Sequence, residues 1–374
     1  MKKKLFLGLL AAAAVSFTAC QKDEVISEMP QDNAIGFGTY VGRDAQTKAS
    51  EATINTMMAD ENGFGVFAYY TESSNYANTY KPEFMNNEQV CYDGGWTYTN
   101  IKYWPGNNSN HKVSFFAYAP YTDVTTSTLE TNITALGTTG INGIGDPTLT
   151  FKVASTVSEQ VDLLYAEPVK DRWKGDFEED DSPYDDQTIK FTFNHALSRI
   201  GFKAKTARDD FKVTINEIQV SGKFNTTGVL NLATVDTENG RWTTLNRPTE
   251  NNGISSYRVN SFLDIAEDFT NTEAQPISKS DGYLMVLPTA STENITVTVT
   301  VNYDYTYYGT TVTGREQSGT ISDLTLAKGK AYTFVLTLNP TNDLTPISFD
   351  VEVNPWDPTD PTDDSNDVPV VTVQ

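Results

Sequence analysis

Histidine and cysteine are nearly absent from this chain. Its 374 residues contain two histidines, His111 and His195, and two cysteines, Cys20 and Cys91. Two histidines in different regions make no metal-ligand pair at helical spacing, and neither a nucleophile elbow nor a phosphate-binding loop occurs. Acidic residues are plentiful, but nothing singles out a carboxylate pair of the kind glycosidases use. No catalytic residue, metal site or cofactor is therefore expected. Positive charge is also scarce: 27 Lys and Arg stand against 49 Asp and Glu, for a net charge of −22. That balance argues against nucleic acid and anionic lipid surfaces as partners and favours solubility outside the cell. Long apolar runs are missing as well. The run Leu5–Val15 spans 11 residues, too short to cross a bilayer. Helical periodicity is rare throughout.

The first 50 residues carry the processing signals. Lys2, Lys3 and Lys4 precede the apolar run, and small and hydroxyl residues follow it. This order predicts a secretory signal peptide over residues 1–19. The run Phe17-Thr18-Ala19-Cys20 resembles a bacterial lipobox, which makes Cys20 the expected lipid attachment site and the outer membrane the expected anchor. Gln21-Lys22-Asp23-Glu24 is similar to the surface-export signals of Bacteroidota lipoproteins. With Cys20 acylated, Cys91 is the only thiol left and no intramolecular disulfide forms; its strand-like setting predicts a small buried apolar residue. Residues 20–33 read as a lipid-anchored linker. In the following stretch Ile35, Phe37, Thr39 and Val41 alternate with Gly36, Gly38 and Tyr40, the period of a strand with one apolar face. Two glycines weaken that strand in isolation. Arg43 and Lys48 follow in a polar stretch, the kind of segment that proteases nick.

The body reads as strand after strand. Phe64–Tyr70, Lys112–Pro120, Thr188–Ala204, Phe211–Val220, Tyr283–Pro288, Tyr332–Leu338 and Ile347–Val353 are β-prone runs bounded by Gly, Asn and Pro. The cleanest alternation is at Asn294–Tyr303, with Ile295, Val297, Val299, Val301 and Tyr303 on one face. Lys170–Gln187 is a composition break crowded with Asp and Glu, read as a solvated acidic loop because its spacing lacks the glycine and terminal glutamate of a calcium loop. The fold class expected is all-β, two antiparallel β-sandwiches in tandem over residues 34–187 and 188–354.

The tail, residues 355–374, has two parts. Pro355, Pro358 and Pro361 alternate with acids up to Asp367, a composition that forms an extended spacer and no core. Val368, Val370, Val371 and Val373 then make a β-prone end. An apolar strand after a solvated spacer is expected to dock, either on a neighbour or on its own chain; fully extended, the tail reaches about 65 Å at roughly 3.3 Å per residue.

Several separated segments together carry a family resemblance. They are the lipobox front, Trp96-Thr97-Tyr98 with Tyr103-Trp104-Pro105, Phe115–Pro120, Asp162-Leu163-Leu164, Phe193–Arg199, Leu284–Pro288 and Gly329–Tyr332. The chain resembles the fimbrillins of Bacteroidota, the subunits of type V pili. The resemblance implies two transthyretin-like sandwiches and a lipoprotein precursor. It also implies that a trypsin-like surface protease cuts after a basic residue and removes the first strand, and that a strand from another pilus subunit fills the groove. Thr47-Lys48-Ala49 looks like the family's cut site, with Arg43 as the alternative. Residues 34–41 are then the displaced strand and Val368, Val370, Val371 and Val373 the donor. The implied role is adhesion, with a host or bacterial surface ligand, at the cell surface. Two other readings remain open: a surface glycan-binding lipoprotein using Trp96, Tyr98, Tyr103, Trp104 and Tyr303–Tyr308 as aromatic platforms, and a tip or anchor subunit outside the shaft.

Overall fold

The structure is a computed structural model that describes residues 34–41, 57–58, 63–106, 111–124, 132–177, 188–234, 241–260, 272–277, 283–290, 293–339, 347–356 and 371–372. Its strands in chain order are β1 (Gly36–Val41), β2 (Phe64–Tyr70), β3 (Met85–Tyr92), β4 (Trp96–Thr97), β5 (Val113–Ala119), β6 (Ile133–Thr138), β7 (Pro147–Lys152), β8 (Leu164–Ala166), β9 (Val169–Arg172), β10 (Thr188–His195) and β11 (Ser198–Thr206). They continue as β12 (Phe211–Gly222), β13 (Thr227–Asn231), β14 (Trp242–Asn246), β15 (Ser255–Arg258), β16 (Gln275–Pro276), β17 (Leu284–Val286), β18 (Ile295–Tyr307), β19 (Thr310–Leu324), β20 (Lys330–Leu338), β21 (Ser348–Pro355) and β22 (Val371–Thr372). Among the described residues, no helix is long and apolar enough to cross a membrane. The all-β expectation holds.

Four sheets form. The first has eight strands, ordered β1-β10-β8-β5-β2-β3-β4 with β9 alongside β5. A six-stranded sheet runs β16-β11-β20-β21-β22 with β17 on β11, and two four-stranded sheets run β15-β12-β18-β19 and β14-β13-β7-β6. Antiparallel pairs dominate, and two long pairings are parallel: β1 with β10 and β11 with β20.

The unbroken apolar runs explain the layering. β2 and β5 show no alternation because both of their faces are covered. Phe64, Val66, Phe115 and Ala117 point into one core, while Phe67, Tyr69, Phe116 and Tyr118 point into a second, larger one. Surface strands instead alternate: β10 buries Ile189, Phe191 and Phe193, and β18 buries Ile295, Val297, Val299, Val301 and Tyr303. The β18–β19 hairpin turns at Tyr308 and Gly309, both at positive φ (45° and 76°), the geometry whose twist matches paired strands.

Sheet membership does not change at residue 187. β10 lies beyond it yet belongs to the first sheet, and β7 pairs with β13 across it. The composition break there marks charge, and charge does not choose strand partners. Cys91 is buried in β3 as expected of a small apolar residue. Against expectation its sulfur is disulfide-bonded. Cys20, the chain's other cysteine, lies outside the described residues, and lipid attachment there requires a free Cys20 thiol.

Candidate functional site

The feature that stands out is the seat of β1. A six-pair parallel ladder joins β1 to β10, from Gly36 opposite Thr188 to Val41 opposite Phe193. On its other side the same segment meets the far end of the sheet. The Ile35 amide donates to the Lys102 carbonyl at 2.9 Å, and Ala34 bridges Tyr103. Tyr98 Oη donates to the Ile35 carbonyl at 2.8 Å. Burial pushes the Tyr98 hydroxyl pKa up to about 12. β1 is thus a seam strand, closing the gap between β10 and the segment after β4.

Period two sends Ile35 and Phe37 inward, and both are buried. The Phe37 ring stacks on Phe191 at 5.8 Å and meets Tyr98, Phe115 and Phe64 edge-on at 5.3, 6.1 and 6.2 Å. Gly36 and Gly38 face the other way, where a methyl on Gly36 would lie 3.0 Å from Thr188 Oγ1. The Thr39 hydroxyl is enclosed without a hydrogen bond, a flaw in an otherwise closely packed seat. Burying an aliphatic or aromatic side chain contributes about 1.5–3 kcal/mol. Ile35 and Phe37 together therefore supply about 3–6 kcal/mol, a large share of the about 5–15 kcal/mol that holds a domain folded. Without β1, four aromatic rings and an unpaired edge of β10 would face water.

The other predicted residues divide as follows. Val41 ends β1. Val371 lies in β22, which pairs antiparallel with β21 of the same chain through Val351–Val371 and Asp350–Thr372. Cys20, Arg43, Lys48, Val368, Val370 and Val373 lie outside the described residues. Of the aromatic platforms, Tyr98, Trp104 and Tyr303 are buried and offer no sugar-binding face, while Tyr103 and Tyr308 are exposed.

A buried polar cluster escaped sequence reasoning. His195, at the end of β10, shares a hydrogen bond of 2.8 Å with Asp162 and stacks on Trp356 at 4.1 Å. The Arg199 guanidinium lies over the rings of Tyr283 and Trp356. His195, Asp162 and Trp356 are all buried, so these contacts lie in the packed interior. An open cleft of about 1070 Å³, lined by residues that include Lys81, Glu83, Asn86, Asn87 and Tyr121, contains neither histidine nor cysteine. Among the described residues no group of His, Cys, Asp and Glu could hold a metal ion.

Residues 47–356 match the model of the fimbrillin-like family. That span begins after β1 and ends at Trp356, leaving both the seam strand and the tail outside it. Fimbrium subunit Fim1C of Phocaeicola vulgatus is 28% identical, the match covering 88% of this chain and 91% of that protein. A fimbrial protein from Bacteroides vulgatus, known from its crystal structure, shares the fold with a TM-score of 0.62 at 22% identity, covering 87% of this chain and 99% of that one. With most of its length inside the family model and its strands in the same arrangement, this chain belongs to the fimbrillin-like family.

Proposed function

We propose that the chain is a structural subunit of a cell-surface fimbrium, exported as a lipoprotein through Cys20 and assembled by strand exchange. The protein reaches the outer membrane, a trypsin-like surface protease cuts after Lys48 or Arg43, and β1 leaves. A tail strand from another subunit then occupies the seam, and this chain's residues 368–374 do the same for a neighbour. Repetition of that step builds a fibre that supports adhesion. One observation carries the reading: a strand that completes a core stands alone at the N-terminal side of two basic sites, ahead of the family body.

The geometry of the seam supports exchange. Among the described residues the tail pairs with β21 through Val351–Val371 and Asp350–Thr372, and the seam offers a six-pair ladder and two apolar pockets. Main-chain bonds supply affinity and pockets supply register. A vacated seam therefore offers an incoming strand both a ladder and pockets.

The test uses residues 21–374, treated with a trypsin-like protease and run unboiled on SDS gels beside a chain ending at Asp367. Ladders that need both the cut and residues 368–374 are expected. A cut chain that stays monomeric with its tail intact removes self-polymerisation into a shaft and favours a tip or anchor subunit, or one joined to a different fimbrillin-like subunit.

A further inference from the structure

We infer that the seam groove is specific for a donor strand with an aromatic residue at the Phe37 position, and so takes the tail of a different fimbrillin-like subunit in preference to a second copy of this chain. The inference rests on the strand-exchange reading and names the partner that it requires.

The shape of the pocket is the first ground. Phe64, Phe115 and Phe191, which surround the Phe37 ring, are fully buried on β2, β5 and β10. They are themselves held by further rings: Trp96 packs on Phe64 at 4.9 Å and Trp104 on Phe115 at 5.9 Å. A pocket walled by side chains already fixed from behind collapses little when underfilled, so a smaller occupant leaves a void. The Ile35 position differs, because a valine there is short of only one methyl group.

The tail supplies the second ground. From residue 357 to 374 this chain has no aromatic residue, and Val368, Val370, Val371 and Val373 are its only large apolar groups. The nearest aromatic upstream is Trp356, which is buried against His195 and so is not available to a neighbour. Whatever register or direction the tail adopts in the seam, a valine at best meets the Phe37 pocket. Pro369 adds a second mismatch, since it has no amide hydrogen to give to a ladder along β10. Every methylene equivalent left out weakens binding, and two of them correspond to about tenfold.

The test offers peptides to the full chain cut after Lys48, which still holds its own β1 fragment, and reads by native mass spectrometry which strand it retains. The peptides are the β1 sequence 34–41, the native tail 368–374, and two tails carrying Val370→Phe or Val371→Phe, one for each face. The β1 peptide and one aromatic tail are expected to replace the fragment at least about tenfold more effectively than the native tail. If the native tail replaces it as effectively as both aromatic tails, the specificity is overturned while strand exchange stands. If no peptide, including the β1 sequence, enters the cut chain, strand exchange itself fails and the inference with it.

Discussion

Replacing Phe37 by alanine removes the ring that fills the seam pocket and leaves the β1 backbone in place. The ring is about nine-tenths or more enclosed and touches four others at 5.3–6.2 Å. A Phe→Ala change in a core costs about 3–5 kcal/mol, and each aromatic pair adds about 0.5–1.5 kcal/mol beyond area burial. With walls that cannot close on the gap, the loss is about 4 kcal/mol, the middle of that range. In the uncut chain the strand stays tethered and the loss appears as a lower urea midpoint. In the chain cut after Lys48 the same loss appears as escape of the N-terminal fragment, on the order of a thousandfold faster at about 1.4 kcal/mol per decade. The assay follows free fragment after protease quenching by size-exclusion chromatography. Gly38→Ala is the control, because its added methyl would meet Thr188 Cγ2 at an ordinary 3.4 Å. Release of the Phe37→Ala fragment within threefold of wild type, or an equal effect of Gly38→Ala, would refute the account of what holds β1.

Three further outcomes are expected. Tyr98→Phe withdraws the hydrogen bond to the Ile35 carbonyl and should destabilise the intact chain by about 1–3 kcal/mol in urea titration, with fragment release faster after cutting. Tyr98 and Tyr257 are both raised to about 12 by burial; their folded pKa exceeds the unfolded value, so their contribution is complete below about pH 10 and is lost as pH rises toward 12. Circular dichroism at rising pH should show the intact chain losing stability in that window, with Tyr98→Phe flattening the loss. His195→Ala leaves the buried Asp162 carboxylate without its imidazole partner and Trp356 without its stacking face, and should lower stability by about 3–5 kcal/mol; His195→Gln, which keeps a donor for Asp162, should recover part of it.

Much of the fold was legible because period-two alternation is a local property. β18 declared its inward face, and the β-prone runs at β2, β5 and β10 declared strands, while only the structure shows that β2 and β5 are covered on both sides. The seam strand was legible in the same way: Ile35 and Phe37 are inward because they share parity. The division at residue 187 was drawn from acidic composition, whereas strand pairing crosses it: β10 joins β8 and β7 joins β13. Three of the aromatic platform residues lie in the core for a related reason. Tyr98, Trp104 and Tyr303 have the same composition as exposed aromatics, and only their neighbours make them core.

The sequence by itself therefore determined the strand content, the strongly acidic charge and the two unusual ends. Only the tertiary structure decided that β1 lies parallel to β10 and is gripped by Tyr98 and Lys102, that β7 crosses to β13, and that Asp162, His195 and Trp356 meet. The physical reason is that alternation fixes which face of a strand is apolar, while every strand edge presents the same amides and carbonyls. Which edges join is settled by how all the apolar faces pack at once, and that information is spread over the whole chain.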